Sequence, residues 1–399
     1  MFLGRFLMYR RDFIKKTSAM TAGVSLIGNA SKWAGANDFI RVGIIGMGGR
    51  GGHHMHTASK MDKVKVAAIA DPDERRVQKW ANELNDKVGY KPDGYQDLRK
   101  IIDDSSIDAV MIATSNHWHA LSGIWAMQAG KHAYVEKPVS HNMFEGRQLV
   151  EAARKYNRVC QGGTQRRSYG MYRKAVQLLQ DGIIGDIFMG RAMVYGSRGP
   201  IGKESPSPIP SWLHWDVWLG PAQEQPFHMN LTHYDWHWLW AFGNGELGNN
   251  GSHILDIIRW GMSRGLPNKI QSSGGRFAWD DQGETPNTQH CTFDFDDGAY
   301  ITCEIRNLST NFEAHCTTWG GMFYGTKGYM AINDKKYEIY MGRDKEPLPD
   351  QGSLEQIHHQ ENFFDAIRAN DPGLLTADIE KTHLSCAYCL LGNIAYRLN

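Results

Sequence analysis

The sequence predicts a two-domain α/β protein, a helix-flanked parallel sheet followed by a domain of mostly antiparallel strands. Three observations carry this reading. Short β-branched runs alternate with helix-like segments from residue 39 to about residue 167. After residue 180, runs such as "FMGRAMVYG", "HCTFDFDDGAYITCEI" and "GYMAINDKKYEIYMG" alternate in polarity and carry Gly/Asp turns, as antiparallel strands do. The length, 399 residues, suits two domains better than one. Composition agrees with a globular chain: 41% hydrophobic, 22% charged, with a formal net charge of +1. That balance offers no basic surface for nucleic acid.

Residues 1–36 read as a twin-arginine export signal rather than as part of the fold. Arg10 and Arg11 precede Phe13 and Ile14, a mildly apolar run from Ala19 to Ile27 follows, and Ala34-Gly35-Ala36 closes the segment. The apolar run is too short to span a bilayer. The mature chain is then expected to begin near Asn37 and to work in the periplasm or otherwise outside the cytoplasm, with no membrane association once the signal is removed.

In the first domain, "FIRVGIIG" is a strand that runs into "GMGGRG", which is G-x-G-x-x-G with Gly46, Gly48 and Gly51. A helix-like segment follows. The next apolar run, "KVKVAAIAD", ends in Asp71, 20 residues beyond Gly51. This strand–turn–helix–strand–acid layout is that of a dinucleotide site. Its glycines let backbone N–H groups approach a pyrophosphate at a helix N-terminus. Gly46, Met47, Gly48, Gly49, Arg50 and Gly51 are therefore candidate cofactor residues. Asp71 would accept from the adenosine ribose hydroxyls and repel a 2′-phosphate, favouring NAD over NADP. His53, His54 and His56, in the helix that follows, read as surface or packing residues.

The α/β alternation continues through "IDAVMIAT" (107–114), the helix "SNHWHALSGIWAMQAG", and "KHAYVEKP", a strand stopped by Pro138. Thr114, Asn116, His119 and Glu136-Lys137-Pro138 fall at the strand ends and helix starts where open parallel sheets bind ligands. "RVCQGGTQRR" adds one more strand, with Gln165 and Arg166 just past its end.

The segments "GIIGMGGRG", "ATSNHWHA", "YVEKPVS", "GGTQRRS" and "GNNGSHILDIIRW", in that order and spacing, resemble the glucose–fructose oxidoreductase/inositol dehydrogenase (Gfo/Idh/MocA) family. The likeness runs from about residue 40 to the C-terminus and extends to the family's twin-arginine-exported members. It implies a Rossmann NAD-binding domain over residues 37–160 and a C-terminal α/β domain over 161–399. The latter would be built on a large open, mostly antiparallel sheet that serves oligomer contacts, so a homo-oligomer (dimer or tetramer) is expected. The last helix would pack back on the first domain.

Oxidising a sugar hydroxyl requires a base for its proton and a nearby nicotinamide C4 for its hydride. Lys137 is the first candidate base, because desolvation beside a cationic ring lowers a lysine's pKa, and the family's E-K-P lysine has this role. His253 is the second. Family dehydrogenases commonly carry Asp four residues before such a histidine; here the position is Asn249, which can orient a hydroxyl but cannot transfer a proton. Asp256, three residues on, is a candidate to orient the His253 ring or to sit at a helix N-terminus.

Six tryptophans lie between Trp212 and Trp240, in "PSWLHWDVWLG" and "HYDWHWLWAFGNG". Flat aromatic faces suit sugar C–H surfaces. Arg166, Trp212, Tyr234 and His237 are named as substrate-pocket candidates. His233 and His237 have zinc-like spacing, with His228 and His253 nearby, but no cysteine or carboxylate set completes a site, and no metal is expected. Of the six cysteines, Cys386 and Cys389 read as helix-core residues. Cys291 and Cys303 flank a hairpin turn and read as buried thiols, with a disulfide as the alternative in an exported protein.

The expected function is NAD-dependent oxidation or reduction of a secondary hydroxyl of a sugar, glycoside or cyclitol, glucoside C3 among the options. An exported enzyme of this kind would carry NAD tightly bound. The alternative is an NAD-dependent redox glycosidase working by oxidation, elimination and re-reduction, although "YVEKP" keeps a lysine where that group commonly has valine. A non-catalytic sugar or NAD sensor is the third option.

Overall fold

The computed structural model describes residues 39–308 and 319–398. The expected export signal and Cys316 lie outside these described residues. Residues 40–399 form one compact unit.

Its first layer is a parallel six-stranded sheet. The elements run β1 (Ile40–Ile45), α1 (Gly49–Ala58), β2 (Val64–Ala70), α2 (Glu74–Val88), β3 (Asp93–Tyr95), α3 (Arg99–Asp103), β4 (Ala109–Ile112), α4 (Asn116–Gln128), β5 (His132–Val135), α5 (Met143–Lys155) and β6 (Cys160–Gly162). Strand order is β3-β2-β1-β4-β5-β6, so the order reverses beside β1. Such a switch point opens a ligand crevice at the carboxyl ends of the strands. The strands are near-continuous apolar runs because helices cover both faces. Ile45, Val110 and Ile112 pack with Leu149 and Val150 of α5 on one face, and Val42, Ile44 and Met111 pack with Met55 of α1 on the other. Each such side chain contributes about 1.5–3 kcal/mol on burial. Helix α4 is apolar on nearly all sides because it is itself buried, and its Gly123 lies against Leu149 and Val135 with no room for a side chain.

The second sheet follows α6 (Gly170–Gln180) and contains β7 (Ile187–Val194), β8 (Lys269–Gly275), β9 (Thr288–Asp294), β10 (Tyr300–Arg306), β11 (Trp319–Gly325), β12 (Gly328–Asn333), β13 (Tyr337–Met341) and β14 (Glu346–Pro347). Its order is β14-β13-β12-β11-β7-β10-β9-β8, antiparallel except for the parallel pair β7·β10. Two more helices lie between β7 and β8, α7 (Trp215–Leu219) and α8 (Ser252–Gly261). Ile254, Leu255 and Ile258 of α8 pack on Ile301, Cys303 and Phe323 of the sheet. The alternate residues Met193, Tyr195, Met322 and Ala331 gather with Tyr324 and Tyr329 on the opposite face.

The C-terminal helices α9 (His359–Ala369) and α10 (Ile379–Leu398) serve both layers. Phe363 and Phe364 enter the core around β1, while α10 gives Ile379 and Cys386 to the first layer and Tyr388 and Cys389 to the second. Cys291 and Cys303 face each other across β9 and β10, and both are free and buried, as are Cys386 and Cys389. Burial pushes the Cys291 thiol up to about 12. Among the described residues, no helix is long and apolar enough to cross a membrane.

Candidate active site

A cleft of about 450 Å³ opens at the carboxyl end of the parallel sheet, between it and the elements leading into α8. Gly46 sits at φ +87°, where a Cβ would stand 2.6 Å from the Ala113 carbonyl oxygen. Gly48 leads into helix α1, which has no side-chain cap and no acidic residue in its first turn. A Cβ on Gly49 would meet no protein atom within 4 Å. This bare, uncapped helix end is the surface a pyrophosphate requires.

Asp71 stands at the end of β2 and lines the same cleft. It accepts from the N–H of Met47 at 2.7 Å and of Asp73 at 2.9 Å, and Arg76 Nη1 lies 4.0 Å away. Burial raises its pKa, with Arg76 and the two N–H donors opposing. The residues therefore fit NAD: amide donors for the pyrophosphate and a fixed carboxylate for the ribose.

Gly46, Gly48, Gly49, Arg50, Asp71, Thr114, Asn116, His119, Glu136, Lys137 and Gln165 all line the cleft, as do Asn249, His253, Tyr234 and His237. Four of the sequence candidates do not. Met47 is fully buried in the core, its N–H on Asp71 and its carbonyl accepting from Trp80 Nε1 at 2.7 Å. Gly51 faces the Gly46 carbonyl oxygen instead, so it permits close helix–strand packing rather than ligand contact. Arg166 is drawn away by Asp334, 2.6 Å from its Nη2, and lies over Trp319. Trp212 stacks under the Arg75 guanidinium at 3.5 Å and beside His233.

Other assignments also change. Asp256 does not orient His253. It takes a two-pronged contact from Arg167 at 2.7–2.9 Å and a hydroxyl from Ser385 at 2.5 Å, all buried. His54 is a buried partner of Glu136, 3.0 Å from its Oε1, which also accepts from Arg50 Nε at 2.6 Å. Burial alone would raise the Glu136 pKa, but Arg50 and His54 hold it well below the usual carboxylate range. His233 precedes and His237 lies within a short 3₁₀ turn, Asp235–Trp238. His233 Nε2 lies 2.9 Å from Asp73 Oδ2, and His237 stacks on Trp236 at 3.6 Å. Among the described residues, no group of three or more His, Cys, Asp or Glu is placed to hold a metal ion.

The catalytic candidates converge from two elements. Lys137, past the end of β5, donates from Nζ to the Asn249 backbone carbonyl at 2.8 Å and to Asn249 Oδ1 at 3.0 Å. Asn249 belongs to a π-helical turn, Leu247–Gly251, that leads directly into α8. Such turns cluster at functional sites because they reset which residues share a helix face. Burial lowers the Lys137 pKa, with Glu136 and Glu246 opposing. His253 is held well below its usual value by burial, then by the Lys137 and Arg166 cations, and its buried Nδ1 has no partner among the described residues. A lysine whose charged form burial disfavours and an imidazole with an open nitrogen form a proton-handling pair. His119 ties the floor together, its ring nitrogens 2.7 Å from the Pro138 carbonyl oxygen and 2.9 Å from that of Thr114. Arg76, Trp118, Trp218 and Trp236 line the cleft as well and were not singled out from sequence.

Residues 40–164 match the oxidoreductase family with an NAD-binding Rossmann fold, and residues 200–399 match its C-terminal α/β domain. The chain belongs to the Gfo/Idh/MocA family. Its parallel sheet is that family's NAD-binding domain, and NAD is its cofactor.

Curated relatives include an α-N-acetylgalactosaminidase of Shewanella oneidensis, 30% identical over 209 residues, which are 46% of this chain and 45% of the relative. Another is a glycosyl hydrolase family 109 protein of a Shewanella species, 32% identical over 206 residues with the same coverage of each chain. The aligned region is thus just under half the length of each relative. Among solved structures, the WlbA dehydrogenase of Bordetella pertussis in complex with NADH and UDP-GlcNAcA superposes with a TM-score of 0.67 at 17% identity, covering 90% of this chain and 96% of that one. An aldose–aldose oxidoreductase of Caulobacter crescentus complexed with glycerol gives 0.66 at 17% identity, covering 90% and 98%. At these identities the likeness shows the fold.

Proposed function

We propose that the protein is an NAD-dependent oxidoreductase acting on a secondary hydroxyl of a sugar, glycoside or cyclitol. The observation that carries this is the convergence of Lys137, Asn249 and His253 on one cleft with the bare N-terminus of α1 and Asp71. Bound NAD supplies the hydride acceptor. Lys137 Nζ takes the hydroxyl proton, and the Asn249 carbonyl and Oδ1 hold that nitrogen in place. His253 offers its open Nδ1 to the same hydroxyl or its neighbour. Tyr234, Trp236, His237 and Trp218 form the wall on which a sugar ring would lie. Residues 37–160 then serve the cofactor and residues 161–399 the substrate. We extend the proposal to twin-arginine export with NAD retained, and to a homo-oligomer.

The Shewanella relatives favour a second reading, in which oxidation at one carbon acidifies the neighbouring C–H, loss of that proton and the aglycone leaves an unsaturated ketone, water adds across its double bond, and re-reduction of the ketone restores the cofactor. Lys137 would then move protons in both half-reactions. Incubating the protein with a panel of sugars and glycosides, with and without added NAD, and following products by NMR separates the two. Keto sugar or NADH supports the oxidoreductase; free aglycone with no accumulating keto product supports the glycosidase. Sugar binding with neither product would overturn both and leave a sensor.

A further inference from the structure

Glu246 is a buried acid that neither the cofactor site nor the proton pair above employs directly. Its side chain is 0% exposed. Arg198 Nη2 donates to both of its oxygens at 3.3 Å, Asn249 Nδ2 donates to Oε2 at 3.3 Å, and Asn250 Nδ2 donates to Oε1. Glu246 immediately precedes the π-helical turn, and the residues three and four positions on, Asn249 and Asn250, project toward it.

These contacts leave the Asn249 amide one orientation. Its NH₂ faces the carboxylate and its Oδ1 faces the Lys137 ammonium. Reversing the amide would set NH₂ against ammonium and oxygen against carboxylate, losing both hydrogen bonds. The chain thus has a carboxylate behind Lys137 after all, three positions before the place where an aspartate is usual.

We propose that Glu246 is a positioning residue for Lys137, acting through the Asn249 amide to fix the ammonium nitrogen and supplying the buried negative charge that Asn249 cannot. The inference rests on the reading of Lys137 as the proton-transfer group. The other groups that face Lys137 are Glu136, Arg50, His119, His237, His253, Cys386 and Cys389, and Arg198 faces Glu246.

The test is the ionisation of Lys137 itself, followed by NMR of the full-length protein carrying ¹³Cε-labelled lysine, with the resonance assigned through Lys137→Met. Glu246→Gln keeps the side chain's shape but removes its charge and leaves Arg198 unbalanced. Both changes disfavour the ammonium, so the Lys137 midpoint is expected to fall by about one pH unit. Arg198→Met leaves Glu246 uncompensated and is expected to move the midpoint the other way, which keeps the test open if Glu246→Gln does not fold. The acid limb of NAD-linked turnover should shift with the midpoint. An unchanged midpoint in both variants, even with reduced activity, would overturn the proposal and leave Glu246 as a packing residue. The titration needs no substrate, so a protein that oxidises no sugar would sink the proposed function while the Glu246 result still stands or falls alone.

Discussion

Arg167 and Asp256 form a two-pronged ion pair with both side chains almost wholly buried, 2% and 1% exposed. Ser385 of α10 donates to the same carboxylate, so the pair joins the turn after β6, helix α8 and the last helix. Its place is structural, one helical turn from the chemistry at His253. Breaking a buried pair by removing one charge costs about 3–5 kcal/mol. Asp256→Asn is therefore expected to lower unfolding free energy by about that amount in urea titrations while leaving the pH–rate profile of surviving enzyme unshifted. A displaced profile would return Asp256 to the proton machinery.

The two glycines of the α1 turn should separate binding from folding. At Gly49 an added methyl meets no protein atom within 4 Å, so Gly49→Ala should fold with stability within about 1 kcal/mol of the parent. The methyl would instead meet the cofactor, weakening NAD about tenfold or more by calorimetry. At Gly51 it would collide with the Gly46 carbonyl, and Gly51→Ala should lose about 3 kcal/mol or more before any cofactor is added.

Asp71 and Arg76 make cofactor choice adjustable. The carboxylate sits between two backbone donors with the guanidinium 4.0 Å from it. Asp71→Ser removes the charge that repels a 2′-phosphate and frees Arg76 to meet one. The NADP-to-NAD ratio of kcat/KM is expected to rise about tenfold or more. A ratio that stays put would mean that Asp71 does not face the ribose.

Several buried histidines set the acid limit of stability. Burial lowers His117 and His359 from 6.5 to about 3 and His132 to about 4. These groups take up protons on unfolding but not in the native state, so stability is full above about pH 6.5 and declines below it. Each adds about 1.4 kcal/mol of loss per pH unit until its own folded value is reached. Thermal melts from pH 7 to pH 4 should fall steadily. His359→Gln should flatten the slope, and a melt independent of pH over that range would contradict the neutral assignment.

The fold was legible because its signals are local: β-branched runs, the glycine turn, Asp71 at a strand end, and alternation after residue 180. Strand-end position brought most of the cofactor candidates and Lys137 to the cleft, while the proton-transfer reading of Lys137 came from the family resemblance. What escaped depends on long-range packing. Nothing near His54 in sequence announces Glu136, 82 positions away, as its partner. Arg166 and Trp212 look like pocket residues until Asp334 and Arg75 are brought beside them. Glu246 did leave a trace, the one acid among the glycines and asparagines of "GNGELGNNG", but its meaning depends on the π turn that aims it at Asn249.

The most direct test of Lys137 as the proton acceptor is a single-turnover measurement of NADH formation with an accepted sugar, comparing the parent protein with Lys137→Met. NAD affinity should change little, because Asp71 and the α1 N-terminus remain, while the rate should drop by about 10²–10⁴-fold. A variant that binds NAD and still forms NADH at the parent rate would contradict the assignment.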